Sequence, residues 1–167
     1  MKMTSGFYAV AATAILCVTP ARAHSQDLGL RLGSAAPAAK LYTLDGKSAD
    51  LSQFVGKTPA LIEFWATWCE NCQELEPTVI EAAHKYGKQV QFVGVAVSVN
   101  QTPGRVKAFV ARHGLPGVQF YDTKGNATGA YNVPATSYVV VINKAGKVVY
   151  TGLGGKQDLD AAIRKAL

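Results

Sequence analysis

The chain has 167 residues, 49% of them hydrophobic and 17% charged, which is the balance of a folded protein and excludes a disordered one. The length suits a single domain. The net charge is +6, but Lys85, Lys88, Lys107, Lys124, Lys144 and Lys147 are scattered and no aromatic residues interleave with them, which argues against nucleic acid as a partner.

Residues 1–23 read as a secretory signal. Lys2 supplies the positive start, residues 7–18 are a continuous apolar run, and Ala21-Arg22-Ala23 is a small-x-small cleavage site. The run is too short for a membrane span, which needs about 20 apolar residues. Cys17 follows Leu16, where a lipid-anchored protein needs a small residue, so neither a lipid anchor nor stable membrane insertion is expected. Cleavage removes Lys2 and Arg22 and leaves residues 24–167 as one domain, expected in the periplasm or otherwise exported.

Residues 24–39 contain Gly, Ala, Ser and Pro and should run over the surface. Asp45-Gly46 within residues 41–51 is a hairpin signal. Residues 60–65 (ALIEFW) are apolar except for Glu63, the pattern of a strand buried on both faces. Leu75, Val79, Ala82, Ala83 and Tyr86 have helical spacing within residues 70–86, where Pro77 should introduce a kink. Residues 90–97 form a second buried strand. Thr102-Pro103 caps and starts another helix with Val106, Phe109 and Val110 as its apolar stripe, and Gly114 and Pro116 end it. A short strand at 118–121, a hairpin built from 138–142 and 147–151, and a helix carrying Leu159, Ala162, Ile163 and Ala166 complete the chain. Strands alternating with helices define an α/β class, a sheet covered by helices on both faces.

The chemistry concentrates at Cys69-Glu70-Asn71-Cys72. A structural disulfide normally closes a long loop, and two intervening residues close almost none, so a stapling role explains the pair poorly. The pair lies where a buried strand ends and a helix begins. There the free N–H groups and the helix dipole favour an anion, which suits Cys69 as a thiolate nucleophile and Cys72, one turn inward, as the thiol that resolves a mixed disulfide. Zinc would want four ligands. His84 lies about 18 Å from Cys72 along the same helix at 1.5 Å per residue. His113 sits on another helix, and His24, which could chelate copper at a processed N-terminus, has no second histidine beside it. No metal and no cofactor are therefore expected, although copper delivery through Cys69 and Cys72 is the rival reading. Glu63 precedes Cys69 by six residues on a strand with no polar face. A carboxyl buried there could exchange protons with Cys72.

Residues 64–72, Phe-Trp-Ala-Thr-Trp-Cys-Glu-Asn-Cys, with Pro77 five residues later, resemble a thioredoxin active site, specifically that of the exported TlpA/ResA-like thiol–disulfide oxidoreductases of the thioredoxin superfamily. The segment from Gly46-Lys47 to Gly56-Lys57, the His113-Gly114-Leu115-Pro116 helix end, and residues 142–148 with Gly152 match as well, so the resemblance covers roughly residues 32–167. It implies a thioredoxin-like fold: a central mixed sheet with helices on both faces, an N-terminal β-hairpin and a βα insertion. It implies Cys69 as nucleophile, Cys72 as resolving thiol, Glu63 as buried acid, and Trp68, Thr136 and Ser137 around the substrate. Trp68 could equally be plain core packing. It also implies protein disulfides as substrates, such as those of apocytochrome c or copper-site cysteines, and a membrane thiol carrier as electron donor.

Two departures from the family pattern stand out. Ser137 occupies the usual cis-proline position, where a non-proline cis bond would cost ~2.5–4 kcal/mol, so a trans peptide presenting a hydroxyl to the thiols is expected. Asn71 stands where proline is common. Glu70 and Glu63 both disfavour a thiolate, which points to a reductant. A peroxiredoxin-like peroxidase is the weaker enzymatic option, because Thr67 lies only two residues before Cys69.

Overall fold

A computed structural model describes residues 29–167. The signal region, with Cys17 and His24, lies outside the described residues.

The alternation of apolar residues in the strands builds the molecule from the centre outwards. Strands β1 (Lys40–Thr43), β2 (Ser48–Asp50), β3 (Ala60–Trp65), β4 (Gln91–Val97), β5 (Val118–Asp122), β6 (Tyr138–Ile142) and β7 (Val148–Leu153) form one sheet in the order β2-β1-β5-β4-β3-β6-β7. β3, β4 and β5 run parallel, and the flanking pairs are antiparallel. The mixed sheet of the thioredoxin-like expectation is therefore present. β3 lies at its centre, with Glu63 opposite Gly94 on one side and Val139 on the other.

Side chains of successive strand residues point to opposite faces. Leu61, Phe92, Val139 and Val141 pack under α1 (Glu70–Tyr86) and the C-terminal α4 (Leu159–Arg164). Trp65, Ala96 and Tyr121 continue that face under α2 (Pro103–His113), the helix of the expected βα insertion. Ile62, Phe64, Val93, Val95 and Val140 face the other way, against Leu51 of a single 3-10 turn (Leu51–Phe54) and Ala127 and Tyr131 at α3 (Asn126–Ala130). Burying a residue such as Leu61 or Phe64 from water contributes on the order of 1.5–3 kcal/mol.

α3 is absent from the sequence-level element order. It has five residues and no apolar repeat. It is held instead by Asp122 at the end of β5, whose carboxylate accepts from Ala127 N at 3.3 Å, Thr128 N at 2.8 Å and Thr128 Oγ1 at 2.8 Å. α1 runs through Pro77 without interruption. Thr102 Oγ1 caps α2 by accepting from Arg105 N at 3.3 Å, and Gly114 ends it at φ 65°. The turn that follows requires glycine at 117: φ is 72°, and a Cβ would lie 2.0 Å from the Phe92 carbonyl oxygen.

Candidate active site

The site forms where β3 delivers the chain into α1. Cys69 is the N-cap of α1, with φ −86° and ψ 109°. Its Sγ accepts from Cys72 N at 3.1 Å and is bonded to Cys72 Sγ, with the two Cα atoms 5.2 Å apart. Both cysteines are nearly buried, at 5% and 6% exposure, while Trp68 beside them is 41% exposed. Trp68 is thus a rim residue rather than core packing, and its indole N–H donates to Val99 O at 2.8 Å.

The loop before Cys69 is fixed by residues that sequence reasoning passed over. Gln101, buried, accepts from Thr67 N at 2.9 Å and donates to Val97 O, and Tyr121 Oη donates to Gln101 O at 2.7 Å. Gln73 Nε2 donates to Thr67 O at 3.2 Å. The β3–α1 loop is thereby tied both to the β4–α2 loop and to its own helix. Gln101 carried no signal in the sequence, because Thr67 and Tyr121 lie 34 and 20 residues from it along the chain.

Glu63 points from β3 into a cavity of about 10 Å³ that Cys72, Gln73, Glu76, Val79, Phe109 and Leu115 also border. A second small cavity, about 20 Å³, adjoins it and is bordered by Gly94, Pro116 and Gln119. Burial first, and the nearby Glu76 carboxylate second, push the Glu63 carboxyl up to about 8 from its ordinary 4.5. Gln119 spans the floor across Gly94, where a Cβ would come within 1.9 Å of its Oε1. Its Oε1 accepts from Trp65 Nε1 at 3.2 Å, and its Nε2 donates to Pro116 O at 2.7 Å.

Ser137 stands at the β6 entry with a trans peptide before it and φ 62°. It is fully buried. Its hydroxyl does not go to the sulfurs, as the sequence suggested: Oγ bonds Gly154 O at 3.0 Å and Asn71 O at 3.4 Å. The physical reason is the left-handed backbone, whose N–H is held by Phe64 O at 3.0 Å and whose side chain meets two backbone carbonyls. Thr136, the preceding residue, is partly exposed. His113 meets neither cysteine; it pairs with Glu76, with Nδ1 3.0 Å from Oε1. Glu76 was legible in principle, since four residues after Cys72 is the same helix face. Among the described residues no cluster of three or more His, Cys, Asp or Glu is arranged to hold a metal, and no helix is long and apolar enough to cross a membrane.

A Cys-x-x-Cys disulfide at a helix N-terminus, beside a half-buried carboxyl on a mixed sheet of this topology, defines a thioredoxin-like thiol–disulfide oxidoreductase. The chain belongs to the Redoxin family, whose profile matches residues 31–167. It is 31% identical over 137 residues to the thiol-disulfide oxidoreductase ResA of Geobacillus thermodenitrificans, covering 81% of this chain and 78% of the relative. ResA of Bacillus anthracis is 30% identical over 138 residues, with 81% and 79% covered. Among solved structures, a secreted disulfide oxidoreductase of Mycobacterium tuberculosis, described as homologous to DsbE, superposes with a TM-score of 0.64 at 27% identity, covering 76% of this chain and 93% of the other.

Proposed function

We propose that the chain is an exported reductase of protein disulfides, with Cys69 as attacking sulfur, Cys72 as resolving sulfur and Glu63 as the group that exchanges a proton with Cys72. The observation that carries this reading is the pairing of Cys69 Sγ with the Cys72 N–H at the mouth of α1, with the Glu63 carboxyl in the cavity that Cys72 borders. In the reduced protein a Cys69 thiolate receives that N–H and the helix dipole. It attacks a client disulfide, a Cys69–client bond forms, and the client's other sulfur leaves and takes a proton from solvent. Cys72 then gives its proton to the Glu63 carboxylate and attacks Cys69 Sγ. The second client sulfur leaves, and the protein carries the two electrons' worth of oxidation as the Cys69–Cys72 disulfide.

The acidic surroundings support the direction. Exposed Glu70 between the sulfurs disfavours thiolate, and Glu63 does so once it ionises above about pH 8, which favours the disulfide form and makes the dithiol a donor of electrons. Trp68 and Thr136 frame the side from which a client approaches, and the buried Ser137 holds the loop behind them. The signal pattern of residues 1–23 and the secreted Mycobacterium relative support export. Cysteines of apocytochrome c or of a copper site are the clients that the family resemblance suggests, with a membrane thiol carrier restoring the dithiol.

The test is Cys72→Ser in the full chain. It should arrest the reaction at the mixed disulfide, so that mass spectrometry of the adducts names the client. A reduction potential measured against glutathione should be strongly reducing. No adduct together with an oxidising potential overturns the proposal.

A further inference from the structure

Two carboxyl groups, not one, border the cavity beneath the cysteines. Glu63 reaches it from β3, and Glu76 from α1, one turn beyond Cys72. Around Glu63, α1 contributes Cys72 and Glu76 as titratable groups. β4 and β6 contribute Gly94 and Val139 at its level, β5 the neutral Gln119, and the segment after α2 only Leu115 and Pro116. α2 contributes His113, which reaches Glu63 only through Glu76. Both carboxyls border this cavity of about 10 Å³, which is not sealed from solvent; each is half-buried, and the Glu76 charge acts on Glu63 across it.

Glu76 is also held in place. Both of its oxygens take His113 Nδ1, at 3.0 and 3.1 Å, and because a carboxylate only accepts, Nδ1 carries the proton. The His113 ring stacks on Phe109 with centroids 3.8 Å apart and an interplanar angle of 9°, and Phe109 packs against Trp65 at 5.5 Å. On the outer side, His113, Phe109 and Gln73 border an open groove of about 470 Å³ together with Arg105 and Arg112. His113 thus borders that groove and, through its bond to Glu76, links it to the cavity beneath the cysteines.

We infer that Glu76, locked by His113, is the positioning residue that sets the pH at which Cys72 is released to attack, because its fixed carboxylate keeps the proton on Glu63. This rests on the proposed thiol–disulfide exchange. Two carboxyls in one small cavity do not both ionise cheaply. Of the two, Glu76 is the one whose oxygens meet a side-chain nitrogen, His113 Nδ1, while Glu63 has none, so the proton of the pair is assigned to Glu63. Glu63 accepts the Cys72 proton only once that first proton has gone to solvent. The balance is one proton from the Cys72 thiol to Glu63 and two electrons from the dithiol to the incoming disulfide. Neither Glu76 nor His113 touches sulfur.

The experiment uses the reduced full chain and dithiobis(nitrobenzoate), whose released thiolate is coloured. Attack by Cys69 releases the first chromophore, and resolution by Cys72 releases the second. The rate of the second phase is followed against pH. In the native chain it rises through the Glu63 titration. Glu76→Gln should move that rise to lower pH by roughly one unit. His113→Phe, which keeps the stack and loses the donor, should move it the same way, and His113→Gln, which can still donate, should move it less. In a Glu63→Gln background the rise should vanish and Glu76→Gln should add nothing. If Glu76→Gln and His113→Phe leave the profile on that of the native chain while Glu63→Gln changes it, this inference fails and the proposed function stands. If the native chain shows no second phase, both fail.

Discussion

Ser137 Oγ lies 3.4 Å from the carbonyl oxygen of Asn71, so the loop entering β6 is bonded to the peptide between the two cysteines. The same hydroxyl has Gly154 O at 3.0 Å, and Gly154 N donates back to Ser137 O at 3.0 Å. Ser137 is thus a polar clamp that joins the active-site turn, β6 and the end of β7.

The clamp predicts that proline does not fit. Ser137→Pro would demand φ near −65° where the backbone has 62°, and it would remove the N–H that Phe64 O accepts. A loss of about 3 kcal/mol or more is expected in urea denaturation. Ser137→Ala, which keeps the backbone and loses only the hydroxyl, should cost about 1 kcal/mol. Equal stability of the proline variant and the native chain would refute the clamp.

Glu63 couples stability to pH. Its carboxyl titrates near 8 in the fold and near 4.5 unfolded, so between those values the folded chain holds a proton that the unfolded chain has lost. Stability should be full below about 4.5, fall as pH rises through that window, and level off above about 8. The total is bounded by about 5 kcal/mol, from 1.36 kcal/mol per pH unit. Glu63→Gln should flatten this slope and slow resolution by Cys72 roughly a hundredfold. Urea denaturation at several pH values reads the first effect. A slope that persists in the variant would assign it to other groups.

Gly94 is needed for the floor of the cavity. A methyl at 94 would occupy the place of the Gln119 amide, and displacing that amide breaks its bonds to Trp65 Nε1 and Pro116 O. Gly94→Ala should therefore destabilise by about 1–3 kcal/mol and change the fluorescence of Trp65. Gln119→Ala should produce much of the same spectral change. If Gly94→Ala is neutral in both measurements, Gln119 does not build the floor.

Gln101 holds the active-site loop at a distance. Gln101→Ala leaves the buried Thr67 N–H and Val97 carbonyl without their partner, which costs about 1–3 kcal/mol. Amide hydrogen exchange should speed up in residues 66–69 and 97–101, with the strands unchanged. Unaltered protection of the Thr67 amide would show that the loop is held by other means.

Much of this frame was legible along the chain. The apolar run of 60–65, the helical spacing of 70–86 and the strand at 138–142 coincide with β3, α1 and β6, because each reports a local periodicity against a single apolar environment. The first hairpin turn was marked by Asp45-Gly46, and in the second Asn143 Oδ1 accepts from Ala145 N and Lys147 N, each at 3.0 Å. α3 escaped because its stability comes from Asp122 on the preceding strand rather than from its own pattern. Trp68 was set beside the site by the resemblance with core packing equally open, because a tryptophan suits a core and a rim equally well, and its exposure beyond the end of β3 decides for the rim.

The chain by itself settled that a buried strand carrying one acid runs into a helix that opens with two cysteines, since spacing and periodicity are properties of neighbours. The tertiary structure alone decided what surrounds that acid. Glu76 meets His113 across 37 residues and Trp65 meets Gln119 across 54, and no local pattern specifies either pairing. Such contacts depend on which strands lie side by side and on which face of the sheet each helix is laid, and burial of the whole apolar surface fixes both at once.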